Sequence, residues 1–144
     1  MSERNEFQKR WDHFYREDGG VQDVMQTLRL YPISGDKEHV KIGMPLHQAI
    51  MQPGGMFSAP ALFGLADLTG TWHAMQLAPE GVVPLAVSVA GNVVSNKNEG
   101  DAIATSSVVR AGRTMIVNEI EIHSSLDNAI LAKFTFTYFV PKPR

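Results

Sequence analysis

Between Ala59 and Gln76 the sequence holds a single charged residue, Asp67, among Leu62, Phe63, Leu65, Ala66, Leu68, Trp72 and Met75. A helix built from these residues is apolar nearly all round and belongs in a core. A carboxylate placed there loses water, which is costly unless it is paired and which raises its pKa toward the range useful for acid/base chemistry. Asp67 is therefore either compensated or functional. Its neighbours three and four positions away are Phe63, Gly64, Gly70 and Thr71. Each glycine costs a helix interior about 1 kcal/mol, and the small residues let a ligand, a strand or a second subunit come close. The alternative is structural: Asp67 caps a new helical segment starting at Leu68, or sits at a solvated break made by Gly64 and Gly70. His73 follows six residues later, about 240 degrees round a helix, so it packs or caps elsewhere. The 5 histidines are scattered without metal-ligand spacing.

The elements that must position this carboxylate fit one domain, since 144 residues bury one sizeable core and are too few for two ordinary ones. A formal charge of −2, from 13 Lys+Arg against 15 Asp+Glu, offers no basic field for a nucleic acid. With no cysteine there is no disulfide framework, thiolate metal site or cysteine nucleophile, which suits a reducing cytosol. The first eighteen residues are charged throughout and lack a signal peptide's apolar run. No later stretch reaches the roughly 18 apolar residues that span a bilayer, so the expectation is a soluble, cytoplasmic protein.

Phe7, Trp11 and Phe14 predict a short amphipathic helix over 4–16, and Val21, Met25 and Leu28 a second over 21–30. From about Glu38 the period becomes two, with Val40, Ile42 and Met44 on one face of a strand. Residues 45–58 read as a loop, Ser58 as an N-cap and Pro60 as the start of a helix over 59–76. Four strand segments follow between 84 and 140. Val87 and Val89 mark the first, and Ile103, Thr105, Ser107 and Val109 form one face of the second. After a turn at Ala111-Gly112-Arg113, Ile116, Ile120 and Ile122 oppose Glu119, Glu121 and His123; Phe134, Phe136 and Tyr138 then oppose Lys133, Thr135 and Thr137. The plan is α+β, an antiparallel sheet around one long helix, with 1–34 as a helical arm and 35–144 as the main domain.

On these residues the sequence resembles the PaaI-type (phenylacetate-pathway) group of hotdog acyl-CoA thioesterases. Their pattern is Asn-x-x-Gly-x-x-His-Gly-Gly, six residues, then a catalytic Asp or Glu. Asp67 takes the carboxylate position, Gly55 the inner glycine, Gln52 the asparagine, and Ser58-Ala59-Pro60 the His-Gly-Gly triplet, without a gap. Gln52-Pro53-Gly54-Gly55 contains a double glycine five residues too early for the triplet. The substitutions have definite consequences. Ala59 keeps the backbone N–H that the family uses as oxyanion donor, a contribution of about 2.7 to 4 kcal/mol in comparable systems. Pro60 lacks an N–H but breaks no bond in a first turn. Ser58 replaces an imidazole with a hydroxyl able to cap the helix.

The resemblance implies hydrolysis of an acyl-CoA thioester to free acid and CoA, with CoA as part of the substrate and neither cofactor nor metal. Asp67, from the facing subunit, would attack directly or activate a water; Gln52 would orient the water or carbonyl; Ser58 and Thr71 would flank the site. Lys97, Arg110 and Arg113 would meet CoA phosphates, and exposed charges at turns are also ordinary solvated surface. Met44, Met51, Met56 and Met75 with Phe57 and Phe63 would line an acyl pocket or simply fill the core. The implied assembly is a homodimer, paired into a dimer of dimers. Two rivals remain: a hotdog module that binds acyl-CoA without cleaving it, and an acyl-thioester hydratase or dehydratase, which needs a histidine beside the acid.

Overall fold

The computed structural model describes residues 3–17 and 23–143. The elements run α1 (Glu6–Glu17), α2 (Val24–Thr27), β1 (Tyr31–Gly35), β2 (His39–Pro45), α3 (Ala59–Leu77), β3 (Leu85–Val93), β4 (Asp101–Ala111), β5 (Met115–Ser124) and β6 (Ile130–Phe139), with a single 3-10 turn at Gln48–Ile50. The second helix is shorter than the sequence pattern suggests. Asp23 caps it by accepting Gln26 N–H at 3.1 Å, and Arg29 ends it in the left-handed region at φ 58. The pattern's start at Val21 lies outside the described residues.

The strands form one six-stranded sheet in the order β1-β2-β4-β5-β6-β3, with every pair antiparallel. β3, first of the four strands after α3, crosses to the far edge and, among the described residues, pairs only with β6. On β5 and β6 the alternation read from the sequence is the one observed, whereas β3 is exposed along its whole length and the Ile103 and Thr105 face of β4 is only half-buried. Ile116, Ile120, Ile122, Phe134, Phe136 and Tyr138 turn inward and are buried. On β4 the buried face carries the small residues Ala102, Ala104 and Ser106, which lets α3 lie close against the sheet. An expectation of five strands missed β1, a short edge strand whose pairing with β2 shifts register between Pro32 and Ser34.

α3 is unbroken from Ala59 to Leu77, so Asp67 neither caps a new segment nor sits at a break. The helix is apolar on all sides because it is covered on two. One side lies on the sheet. The other carries Trp72, whose ring stacks on Trp11 at 5.0 Å between centroids and meets the edges of Phe7 and Phe14. The indole N–H of Trp72 points at Met25 Sδ, 3.2 Å away. Among the described residues no helix is long and apolar enough to cross a membrane.

Candidate active site

Ser58 sets the start of α3. Its extended backbone lies outside the helix and its Oγ accepts the Ala61 N–H at 3.2 Å, while its own N–H reaches Ile50 C=O. Ala59 is thus the first helical residue, a position whose N–H has no acceptor within the helix. The preceding turn is closed by Gln52, whose side-chain oxygen accepts the Gly54 N–H and whose C=O accepts Gly55 N–H at 2.9 Å. Gly55 takes φ +80, which glycine adopts without strain. Asn96 latches this turn to the segment after β3. Its Nδ2 donates to Phe57 C=O at 2.8 Å and its Oδ1 accepts Phe57 N–H at 3.2 Å.

Two turns further on, Phe63 and Asp67 share the α3 face that looks toward β3. With Ala86, Val87, Ser88, Val89 and Phe136 they line an open cleft of about 480 Å³. The Phe63 ring stands edge-on to Phe134 and Phe136, with centroids 5.8 and 5.5 Å away, and forms an aromatic wall. Asp67 Oδ1 is shielded from solvent and has no hydrogen-bond partner among the described residues. Burial pushes the Asp67 carboxyl above the usual carboxylate range. A desolvated carboxylate with an unused lone pair at a cleft can take a proton from a bound molecule.

The backbone beneath it is pinned. Tyr138 Oη and Thr71 Oγ1 each donate to Asp67 C=O at 2.8 Å, and Asn118 Nδ2 donates to Gly70 C=O at 3.1 Å. A Cβ on Gly70 would lie 2.2 Å from Tyr138 Oη, so the close approach permitted by that glycine is made by strand β6. At Gly64 the neighbour is Leu28, 3.0 Å from such a Cβ. His73 faces elsewhere, as its angle on the helix requires. It is buried, and its Nδ1 and Nε2 lie 2.8 Å from Ser106 Oγ and Lys37 C=O respectively. The carbonyl can only accept, which assigns the proton to Nε2 and makes Ser106 the donor to Nδ1.

The expected site residues are not all gathered in one place. Eight residues of helix, about 12 Å, separate the Ala59 N–H from Asp67, so one chain cannot set both on the same carbonyl. Thr71 turns its hydroxyl back onto its own helix. Lys97 is paired with Asp127 at 2.7 Å near the Val93 end of the sheet, whereas Arg110 and Arg113 flank the β4–β5 hairpin at the opposite end. Strand geometry puts about 25 Å between these groups within one chain. Of the methionines and phenylalanines expected around an acyl group only Phe63 lines the cleft; Met44 and Phe57 are buried core. Three polar groups carry little sequence signal. Ser88 reads as a spacer between Val87 and Val89, and Tyr138 as an inward aromatic. Asn118 did leave a signal, since it is polar in phase with Ile116, Ile120 and Ile122.

No protein-family model and no curated protein matches the sequence. Solved structures do match. A thioesterase of Haemophilus influenzae aligns at TM-score 0.85 and 16% identity over 96% of this chain and 93% of that one. Zebrafish thioesterase superfamily member 2 aligns at 0.82 and 16% over 93% and 98%. A hypothetical thioesterase of Streptococcus pneumoniae, solved with coenzyme A, aligns at 0.71 and 21% over 80% and 90%. The class is thereby defined: this is a hotdog-fold protein, sharing over nearly its whole length the fold of thioesterase-superfamily structures. At these identities the likeness extends to the fold.

Proposed function

We propose that the protein is an acyl-CoA thioesterase of PaaI type, with Asp67 as general base, acting as a homodimer. The observation that carries this is the Asp67 carboxylate, desolvated, unpaired at Oδ1 and facing a cleft along an open sheet edge. β3 presents Leu85, Val87, Val89 and Val93 to solvent, and an exposed apolar edge strand needs a cover. A second copy applied edge to edge about a two-fold axis supplies one, and its α3 runs antiparallel to the first. The Ala59 N–H of one copy then lies opposite Asp67 of the other, which removes the 12 Å obstacle of the single chain. A ligand held between them fits the coenzyme A bound by the Streptococcus pneumoniae structure.

In this reading Asp67 takes a proton from water as its oxygen bonds to the thioester carbon. Charge builds on the carbonyl oxygen at the partner copy's helix N-terminus, where the Ala59 N–H stabilises it. Collapse breaks the carbon–sulfur bond, and the CoA thiolate leaves with the proton from Asp67. The raised carboxyl pKa favours the base role over direct attack. Ser88 adds a hydroxyl to the same cleft. A hydratase would need a histidine at the acid; His73 is buried with both nitrogens bonded.

Release of free CoA from short, long and aryl acyl-CoAs tests the proposal. Asp67→Asn should lower kcat by about 10²- to 10⁴-fold without changing the oligomer. Unchanged turnover would remove Asp67 as catalyst, and a wild type that binds acyl-CoA but cleaves none would make the protein a binding module.

A further inference from the structure

Two hydrogen bonds run from the sheet to the α3 backbone, and both land within one turn of Asp67. Tyr138 on β6 donates to the Asp67 carbonyl and Asn118 on β5 donates to the Gly70 carbonyl. Carbonyls three residues apart lie on one side of a helix. Bonding both to neighbouring strands fixes how far α3 is rotated and how far it slides along the sheet. The approach depends on Gly70, because a Cβ there would stand 2.2 Å from Tyr138 Oη and 3.1 Å from Ile120 Cδ1. The chain thus retains a glycine in the middle of its longest helix, where alanine would favour the helix by about 1 kcal/mol.

The carbonyl of Asp67 already has Thr71 Oγ1 as a donor, and a regular helix gives it the Thr71 N–H as well. Satisfying that oxygen therefore does not require Tyr138, and the added bond serves to hold the helix in place. Burial, and then the nearby Asp67 charge, keep the Tyr138 phenol protonated well beyond the ordinary tyrosine range, so it remains a donor at every working pH. Burial is what raises the Asp67 carboxyl. The carboxyl's degree of burial is accordingly set by where the helix places it.

We propose that Tyr138, assisted by Asn118 and admitted by Gly70, is a positioning residue: it docks the Asp67 turn of α3 on the sheet and so holds the carboxylate, desolvated and unpaired, at the β3 cleft. This rests on the thioesterase reading for its catalytic consequence and on the geometry alone for its effect on Asp67.

The test is Tyr138→Phe, which deletes the hydroxyl and keeps the ring. The Asp67 carboxyl is followed by ¹³C NMR titration, assigned with Asp67→Asn, beside kcat and KM. A carboxyl released toward water should titrate about half a unit lower than in wild type, the scale of one neutral hydrogen bond. Over the same comparison kcat should fall about threefold to tenfold with KM within about twofold. Gly70→Ala, which expels the phenol without removing it, should shift the midpoint the same way, and the double variant should shift it by less than the sum. A Tyr138→Phe protein with a lower melting temperature but an unmoved midpoint would overturn the proposal, whether or not the wild type turns over any substrate. An absence of wild-type turnover with the midpoint shifted as expected would count against the thioesterase reading alone.

Discussion

The two flanks of α3 differ in how they are covered. On the flank facing α1, β1 and β2, Trp72 is sealed beneath Phe7, Trp11 and Phe14, and the buried His73 has a partner at each ring nitrogen. On the flank facing β3, Asp67 keeps a shielded oxygen without a partner beside a strand exposed along its whole length. Among the described residues α3 also holds Gln76, whose buried Oε1 lacks a partner; Asp67 differs in being ionisable, raised by burial and on the wall of a cleft. An unpaired buried oxygen is costly, and at Asp67 it belongs to a carboxyl that can hold or release a proton at a cleft.

Trp72→Ala should break the sealed flank most severely. Removing a buried indole costs about 3–5 kcal/mol, which urea denaturation would register, while activity per folded molecule stays at the wild-type level. His73→Leu should cost less, about 1–3 kcal/mol, since it strands the Ser106 hydroxyl and the Lys37 carbonyl. It should also change the pH dependence. Burial holds the His73 pKa below its ordinary value, so the unfolded chain binds the extra proton first. That contribution to stability is complete above about pH 6.5 and is lost as pH falls from there toward the depressed folded value. The variant should lack this part of the decline. The smallest effect belongs to the open flank and has the opposite sign. The Asp67 carboxyl is raised on folding, so it subtracts stability as pH rises above about 3.9. Asp67→Asn should melt no lower than wild type at neutral pH and converge with it in acid. A large loss of stability would mean that Asp67 is structural after all.

Much of this contrast was legible in the sequence. A charge-free stretch with Ser58 before it and Pro60 inside it gives α3 to within a residue at its C-terminal end, because capping and side-chain period are local properties. The lone charge within it singled out Asp67 for the same reason. β1 was missed because Tyr31–Gly35 is too short and irregular to show a period. The partner that Gly70 admits was beyond local reading, since Tyr138 lies 68 positions along the chain and only the order of strands brings it beneath the helix. The separation of Lys97 from Arg110 and Arg113 was beyond local reading for a similar reason: the strands between them carry their turns to opposite ends of the sheet.

In the proposed dimer Asp67 of one copy works with the α3 N-terminus of the other, and mixing two inactive variants tests this most directly. Asp67→Asn lacks the base. Ala59→Pro lacks the N–H yet suits a first helical position. If the site is shared, co-refolded equal mixtures contain heterodimers with one intact site, and about a quarter of wild-type CoA release should return. If each chain carries its own complete site, the mixture will stay as inactive as its components, and the account will be wrong.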